Sequence, residues 1–167
     1  MGAMSNLGVF EDSSVTTAGI VAARASTNTI DLGQASPGIG VGPHAPYLCI
    51  RTAAAPTNAA DSISIELQCD ADDGDGSPTG TWTHVIMVPL TMVLASGEVI
   101  ATDSRLATAG AWVFRGQLPY DIPYRHIRLY YNNTISNGKF LLDAWLEDVP
   151  ASDFRGSQVL FSNVGQP

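Results

Sequence analysis

A chain of 167 residues fits one domain of ordinary size, long enough to bury a core without disulfides or a metal to hold it. With 45% hydrophobic and 14% charged residues it is too apolar for a disordered chain, and its 16 glycines and 10 prolines point to an all-β protein rich in turns. Eight basic residues (Lys139 and seven arginines) against 16 acidic ones give a formal charge of -8, which argues against nucleic acid as a partner.

The chain starts Met1-Gly2-Ala3-Met4, with no basic region followed by an apolar one, so no secretory signal is visible. The second methionine suggests that residues 1–3 are an expression remnant. No run approaches about 18 consecutive apolar residues, so no membrane span is expected. Leu7, Val9 and Phe10 stand among small polar residues before any strand pattern begins, and residues 1–14 read as an N-terminal arm. Burying one large apolar side chain stabilises by about 1.5 to 3 kcal/mol. Such side chains are therefore expected either to pack back on the parent domain or to dock on a neighbouring subunit.

Strands are predicted over Thr29 to Leu32 and Tyr47 to Thr52, separated by a loop from Gly33 to Pro46 with four glycines and three prolines. Asp61 to Cys69 carries the cleanest two-residue period, with Ile63, Ile65, Leu67 and Cys69 on one face and polar side chains on the other. Further strands are predicted over His84 to Leu90, Glu98 to Ala101 and Ala111 to Leu118. Val88 to Leu94 also fits one helical turn, although Pro89 argues against a long helix. Loops are expected at Ala53 to Ala60, Asp70 to Gly80 and Thr102 to Gly110.

Leu118 to Tyr131 turns on two prolines and then alternates, placing Ile127, Leu129 and Tyr131 inward and His126, Arg128 and Tyr130 outward. Lys139 to Val149 repeats the pattern, with Phe140, Leu142, Ala144 and Leu146 on one face and Asp143, Trp145 and Glu147 on the other. Between them, Asn137-Gly138 is a strong hairpin signal because both residues tolerate positive φ, so these two strands are expected to pair antiparallel. The total, about seven or eight short strands, suits two packed antiparallel sheets over residues 15–149. Pro150 closes the last strand, and Phe154, Val159, Leu160 and Phe161 follow in a C-terminal extension, residues 150–167.

No motif in the chain joins a nucleophile, a base and an orienting acid, and no Gly-x-Ser-x-Gly elbow occurs. Asp70, Asp72, Asp73 and Asp75, interleaved with Gly74 and Gly76, resemble a hard-cation loop. With Gly76 at the sixth position, however, Ala71 falls where the first acidic ligand belongs and Trp82 where the closing Glu belongs. A solvated acidic turn is the expectation. His44, His84 and His126 have no zinc-like spacing. Gly38 to Pro43 lacks the lysine and following helix of a phosphate loop. Asn132-Asn133-Thr134 matches a glycosylation pattern that is idle without secretion. Cys49 and Cys69 lie in strand-like runs and are expected as free thiols behaving as small hydrophobes. Trp82, Trp112, Trp145 and the tyrosines form the pool for a carbohydrate-stacking platform, the main alternative to a core and interface role.

Taken in order, several pieces resemble the capsid cement, or decoration, proteins of short-tailed bacteriophages. They are Leu7 to Asp12 followed by Ser14-Val15-Thr16; Ser26 to Gly33; Gly38-Ile39-Gly40; Val88-Pro89-Leu90 ending at Ala95-Ser96-Gly97; and Leu118-Pro119 leading to Tyr124 to Tyr131. The resemblance spans residues 7 to 149; the loop at Asp70 to Gly80 is long for that family, and the stretch after Pro150 extends beyond its usual end. It implies a jelly-roll β-sandwich that forms a homotrimer, is made in the host cytoplasm and binds the major capsid protein on the outer surface of an icosahedral head. No catalytic residue, metal, cofactor, nucleic acid or membrane is implied. The partner-binding side chains expected from apolarity in otherwise polar ends are Leu7, Val9, Phe10, Phe154, Leu160 and Phe161. The competing expectation is a carbohydrate-binding or receptor-binding β-sandwich module of a phage tail.

Overall fold

The computed structural model describes residues 8–15, 17–33, 46–56, 63–88, 104–119, 122–133 and 139–147. In chain order its elements are β1 (Val9–Glu11), β2 (Arg24–Ala25), β3 (Ile30–Asp31), β4 (Tyr47–Ala54), β5 (Ile63–Asp70), β6 (Thr83–Met87), a helical turn α1 (Ser104–Ala107), β7 (Trp112–Gln117), β8 (His126–Asn133) and β9 (Leu141–Glu147). They build an all-β sandwich. One sheet has the order β1-β9-β4-β7; the other has β2-β8-β5-β6, with β3 also paired to β8.

The topology is a jelly roll, and the pairings show why. β1 pairs with β9, β2 and β3 with β8, β4 with β7 and β5 with β6, all antiparallel. These are the rungs of one long nested hairpin, in which β2 and β3 act as a single interrupted strand. Rolling that hairpin up adds two more antiparallel contacts, β4 with β9 and β5 with β8, which turn the ribbon into two sheets.

Alternation of side chains then fills the space between the sheets. Ile63, Ile65, Leu67 and Cys69 of β5 meet Ile127, Leu129 and Tyr131 of β8 in one wall, each at most 1% exposed. Leu48 and Ile50 of β4 and Leu142, Ala144 and Leu146 of β9 form the other wall, joined by Phe10, Ile20 and Phe140. The inward sets expected for Ile63 to Cys69, for Ile127 to Tyr131 and for Phe140 to Leu146 are all found in this core.

The structure corrects several expectations. The strands on either side of Asn137-Gly138 do not pair: β8 belongs to one sheet and β9 to the other. An Asn-Gly pair favours a tight turn but does not specify which strand edges meet, and in a jelly roll this connection crosses between sheets. Residues 134–138 lie outside the described residues. The arm is also revised, because Val9–Glu11 is an edge strand of the sandwich and Phe10, at 0% exposure, is a core side chain with no surface to offer a partner. Thr102 to Gly110, read as a loop, contains α1. β2 had no strand signal at all, since two residues are too few to show a period. The strand expected at Glu98 to Ala101 and the residues after Val149 lie outside the described residues.

β1 is held from its free side. Asn28 donates its backbone N–H to Phe10 O at 3.1 Å and its side-chain amide to Val9 O at 3.0 Å. The Glu11 carboxylate, only 3% exposed, accepts both guanidinium nitrogens of Arg24 at 2.8 and 3.1 Å, and the Thr27 N–H and hydroxyl at 3.0 Å each. Four donors on two oxygens satisfy a carboxylate that burial alone would penalise.

Candidate interaction surface

A β-bulge decides what the outer face of the first sheet looks like. Ile50 faces Phe114 but Arg51 faces Trp112, so Val113 is the extra residue of β7 and both Val113 and Phe114 turn toward the core. Trp112 and Arg115 are thereby brought to the outer face, opposite Arg51 and Cys49 respectively. From the other side of β4, β9 places Trp145 opposite Cys49 and Asp143 opposite Arg51. Side chains directly opposite across an antiparallel pair share a face. The result is one patch built from three adjacent strands.

Within it the Trp112 and Trp145 rings lie 5.6 Å apart at 49°. The Arg51 guanidinium sits 5.9 Å from the Trp145 ring and that of Arg115 sits 5.3 Å from Trp112, each within cation–π range. Arg51 also pairs with Asp143 at 3.0 Å, and Asp143 accepts the Ser13 N–H at 3.0 Å. Burial acts to raise the Asp143 pKa, but the bonds from Ser13 and Arg51 outweigh it and the net shift is downward. Beneath the rings the Cys49 thiol donates to Glu147 Oε2 at 3.4 Å. Its pKa is pushed up to about 12, first by burial and then by that bond. A thiol so held stays protonated and is no nucleophile. Trp145 is 9% exposed and Trp112 is 43% exposed, so the patch has a covered base and an open indole at its rim.

The outer face of the second sheet carries a smaller stack. The Arg128 guanidinium lies 3.9 Å from the Trp82 ring and 5.8 Å from that of Tyr130, and its Nε donates to Gln68 Oε1 at 3.0 Å. His84, beside it, places Nδ1 3.6 Å from Glu66 Oε2.

The acidic turn from Asp70 to Gly80 is ordered by its own carboxylates. Asp72 Oδ1 accepts the N–H groups of Gly74 and Gly76 at 2.6 and 3.1 Å, and Asp73 Oδ1 those of Asp75 and Ser77 at 2.9 and 3.2 Å. Asp70 accepts the Thr79 hydroxyl and the Gly80 N–H, both at 2.6 Å. Such Asx bonds explain the spacing that imitated a cation loop. Arg125 bridges Asp72 and Asp31, the latter through two bonds of 2.6 and 2.7 Å, and this bonding holds the Asp31 carboxyl well below its usual range. His126, expected on the outer row, is covered by this turn and is 2% exposed, with its Nε2 3.8 Å from Asp72 Oδ2 and without a hydrogen-bond partner. No group of three or more His, Cys, Asp or Glu side chains suited to a metal ion occurs among the described residues.

Of the six side chains expected to bind a partner, Val9 is half-buried and lies opposite Trp145, so it borders the Trp112 patch. Phe10 is in the core, and Leu7, Phe154, Leu160 and Phe161 lie outside the described residues. Trp112 and Trp145 belonged to the aromatic pool, whereas Arg51 and Arg115 had no local signal. Their meeting depends on strand order and on one bulge. Cys49 and Cys69 are both free and buried, Cys49 under the patch and Cys69 in the core.

No helix among the described residues is long and apolar enough to cross a membrane. Comparison with the curated proteins finds no match. A family model does match: that of Bbp16, over residues 12–137. The matched span takes in every strand from β2 to β8, which includes all of the second sheet and the β4 and β7 half of the Trp112 patch. A match over so much of the sandwich makes this chain a member of the Bbp16 family.

Proposed function

We propose that this protein is a capsid cement protein: a non-enzymatic homotrimer bound to the outer surface of an icosahedral phage head, where it bridges coat subunits and stabilises the shell against the pressure of packaged DNA. The observation that carries the reading is the Trp112 patch, because tryptophan and arginine fixed on rigid strands are the side chains that anchor protein interfaces. The jelly-roll sandwich and the ordered sequence likeness to phage cement proteins support it. A molecule that binds only the assembled shell stabilises that state by its binding free energy. Three linked protomers raise the avidity further, since later contacts become intramolecular. The net charge of -8 suits a position outside the shell, away from DNA.

The test is to incubate the purified protein with expanded heads that lack it, sediment them, and measure shell melting. Stoichiometric co-sedimentation and a raised shell melting temperature are expected, together with a trimer mass by light scattering. A strictly monomeric protein that leaves heads unchanged would overturn the proposal. The 43% exposure of Trp112 favours one second reading, a carbohydrate-binding module. Glycan binding without head binding would establish it instead.

A further inference from the structure

Among the described residues, the exposed charge on the Trp112 patch has the opposite sign to the chain as a whole. Arg51 is 41% exposed while its partner Asp143 is 10% exposed, and Arg115 and Glu147 are 34% and 33% exposed at 3.9 Å. Among the described residues, what reaches the solvent around the open indole is therefore two guanidinium groups and one carboxylate, on a chain that carries 16 acidic residues against eight basic ones. The acid that orients Arg51 is sunk in the sheet and tied to Ser13, so it fixes the guanidinium without covering it.

We infer that the outer face of the β1-β9-β4-β7 sheet is the docking face for the coat protein, and that the coat surface it fits presents carboxylates around an apolar pocket. Trp112 enters the pocket, and Arg51 and Arg115 meet the carboxylates in planar, forked geometry. The inference rests on the cement reading and adds to it the face and the chemistry of the partner. Complementarity of this kind also sets selectivity, because a basic coat surface would be repelled by the two guanidinium groups and left unpaired.

The experiment compares wild type, Trp112→Ala, Arg115→Glu and, on the opposite outer face, His84→Ala for binding to heads lacking the protein, at low and high salt. Circular dichroism checks folding of each variant. Trp112 and Arg115 both lie exposed on β7, an edge strand of its sheet. Expected are a loss of about tenfold or more in head affinity for Trp112→Ala and for Arg115→Glu, no change for His84→Ala, and a wild-type affinity that falls with salt more steeply than that of Arg115→Glu. Wild type that binds heads no differently from the two patch variants overturns the docking face while leaving the cement reading in place. Salt-independent binding overturns the acidic partner, and competition by free sugars overturns a protein occupant. Failure of wild type to bind heads at all removes the cement reading and this inference with it.

Discussion

Cys49 shows how a buried residue records its surroundings in the pH dependence of stability. Its folded pKa of about 12 lies above the value of about 8.5 for a free thiol. Between those values the unfolded chain has lost the proton and the folded chain has kept it, so stability is full below about pH 8.5 and declines as pH rises. The slope is about 1.4 kcal/mol per pH unit for each such thiol. Cys69, raised chiefly by burial, acts in the same direction. Urea unfolding between pH 8 and 10 is expected to show this loss, and Cys49→Ala to flatten it. An equal slope in the variant would mean that Cys49 ionises freely in the fold. The carboxylate of Glu11 makes a different case, because both of its oxygens are fully used. Glu11→Ala leaves the Arg24 guanidinium and the Thr27 N–H without their acceptor, and a loss of about 3 kcal/mol is expected in denaturant unfolding.

At the scale of elements, two glycines are fixed by what lies against them. Gly19 has φ +69°, and a Cβ there would come within 2.8 Å of Phe140 O, just where Ile20 and Phe140 exchange backbone bonds. Gly116 lies opposite Leu48 under the Phe114 ring, and its Cβ would meet that ring at 2.8 Å. Gly19→Ala is expected to cost about 1 to 3 kcal/mol, as strain and overpacking combine. Thermal melting checks it, and an unchanged midpoint would show that the turn relaxes freely. The turn between β5 and β6 depends instead on ionised carboxylates. Asp31 and Asp72 both have folded pKa values below the ordinary one, through Arg125 and Gly33 for Asp31 and foremost through the Gly74 N–H for Asp72. Their contribution is present above about pH 4 and is lost as pH falls through the folded values. Protection of the Gly74 and Gly76 amides from hydrogen exchange is expected to fall below pH 4, and Arg125→Ala is expected to weaken it at neutral pH. Amides equally protected in the variant would mean that the Asx bonds alone hold the turn.

For the whole molecule, nesting puts the two ends of the described chain side by side, with Val9 paired to Trp145 and Leu146 N–H bonded to Gly8 O at 2.9 Å. Deleting residues through Glu11 removes a strand, the core side chain Phe10 and the Glu11 clamp together. It is expected to cost several kcal/mol of global stability, whereas a detachable arm would leave unfolding unchanged. By itself the sequence determined the fold class and the facing of the long strands, because a two-residue period in Ile63 to Cys69 or Phe140 to Leu146 reports burial directly, whatever the neighbouring strand is. It also marked the turns, because glycine, proline and aspartate act on their own backbone. Tertiary structure alone decided which strands are neighbours: Asn137-Gly138 looked like a hairpin and joins two sheets, and the three-residue β1 was too short to show any period. The Trp112 patch was hidden for the same reason. Its arginines and tryptophans come from β4, β7 and β9, up to 94 residues apart at Arg51 and Trp145, and pairing across such separations is set by how the whole ribbon rolls up, which no local stretch encodes.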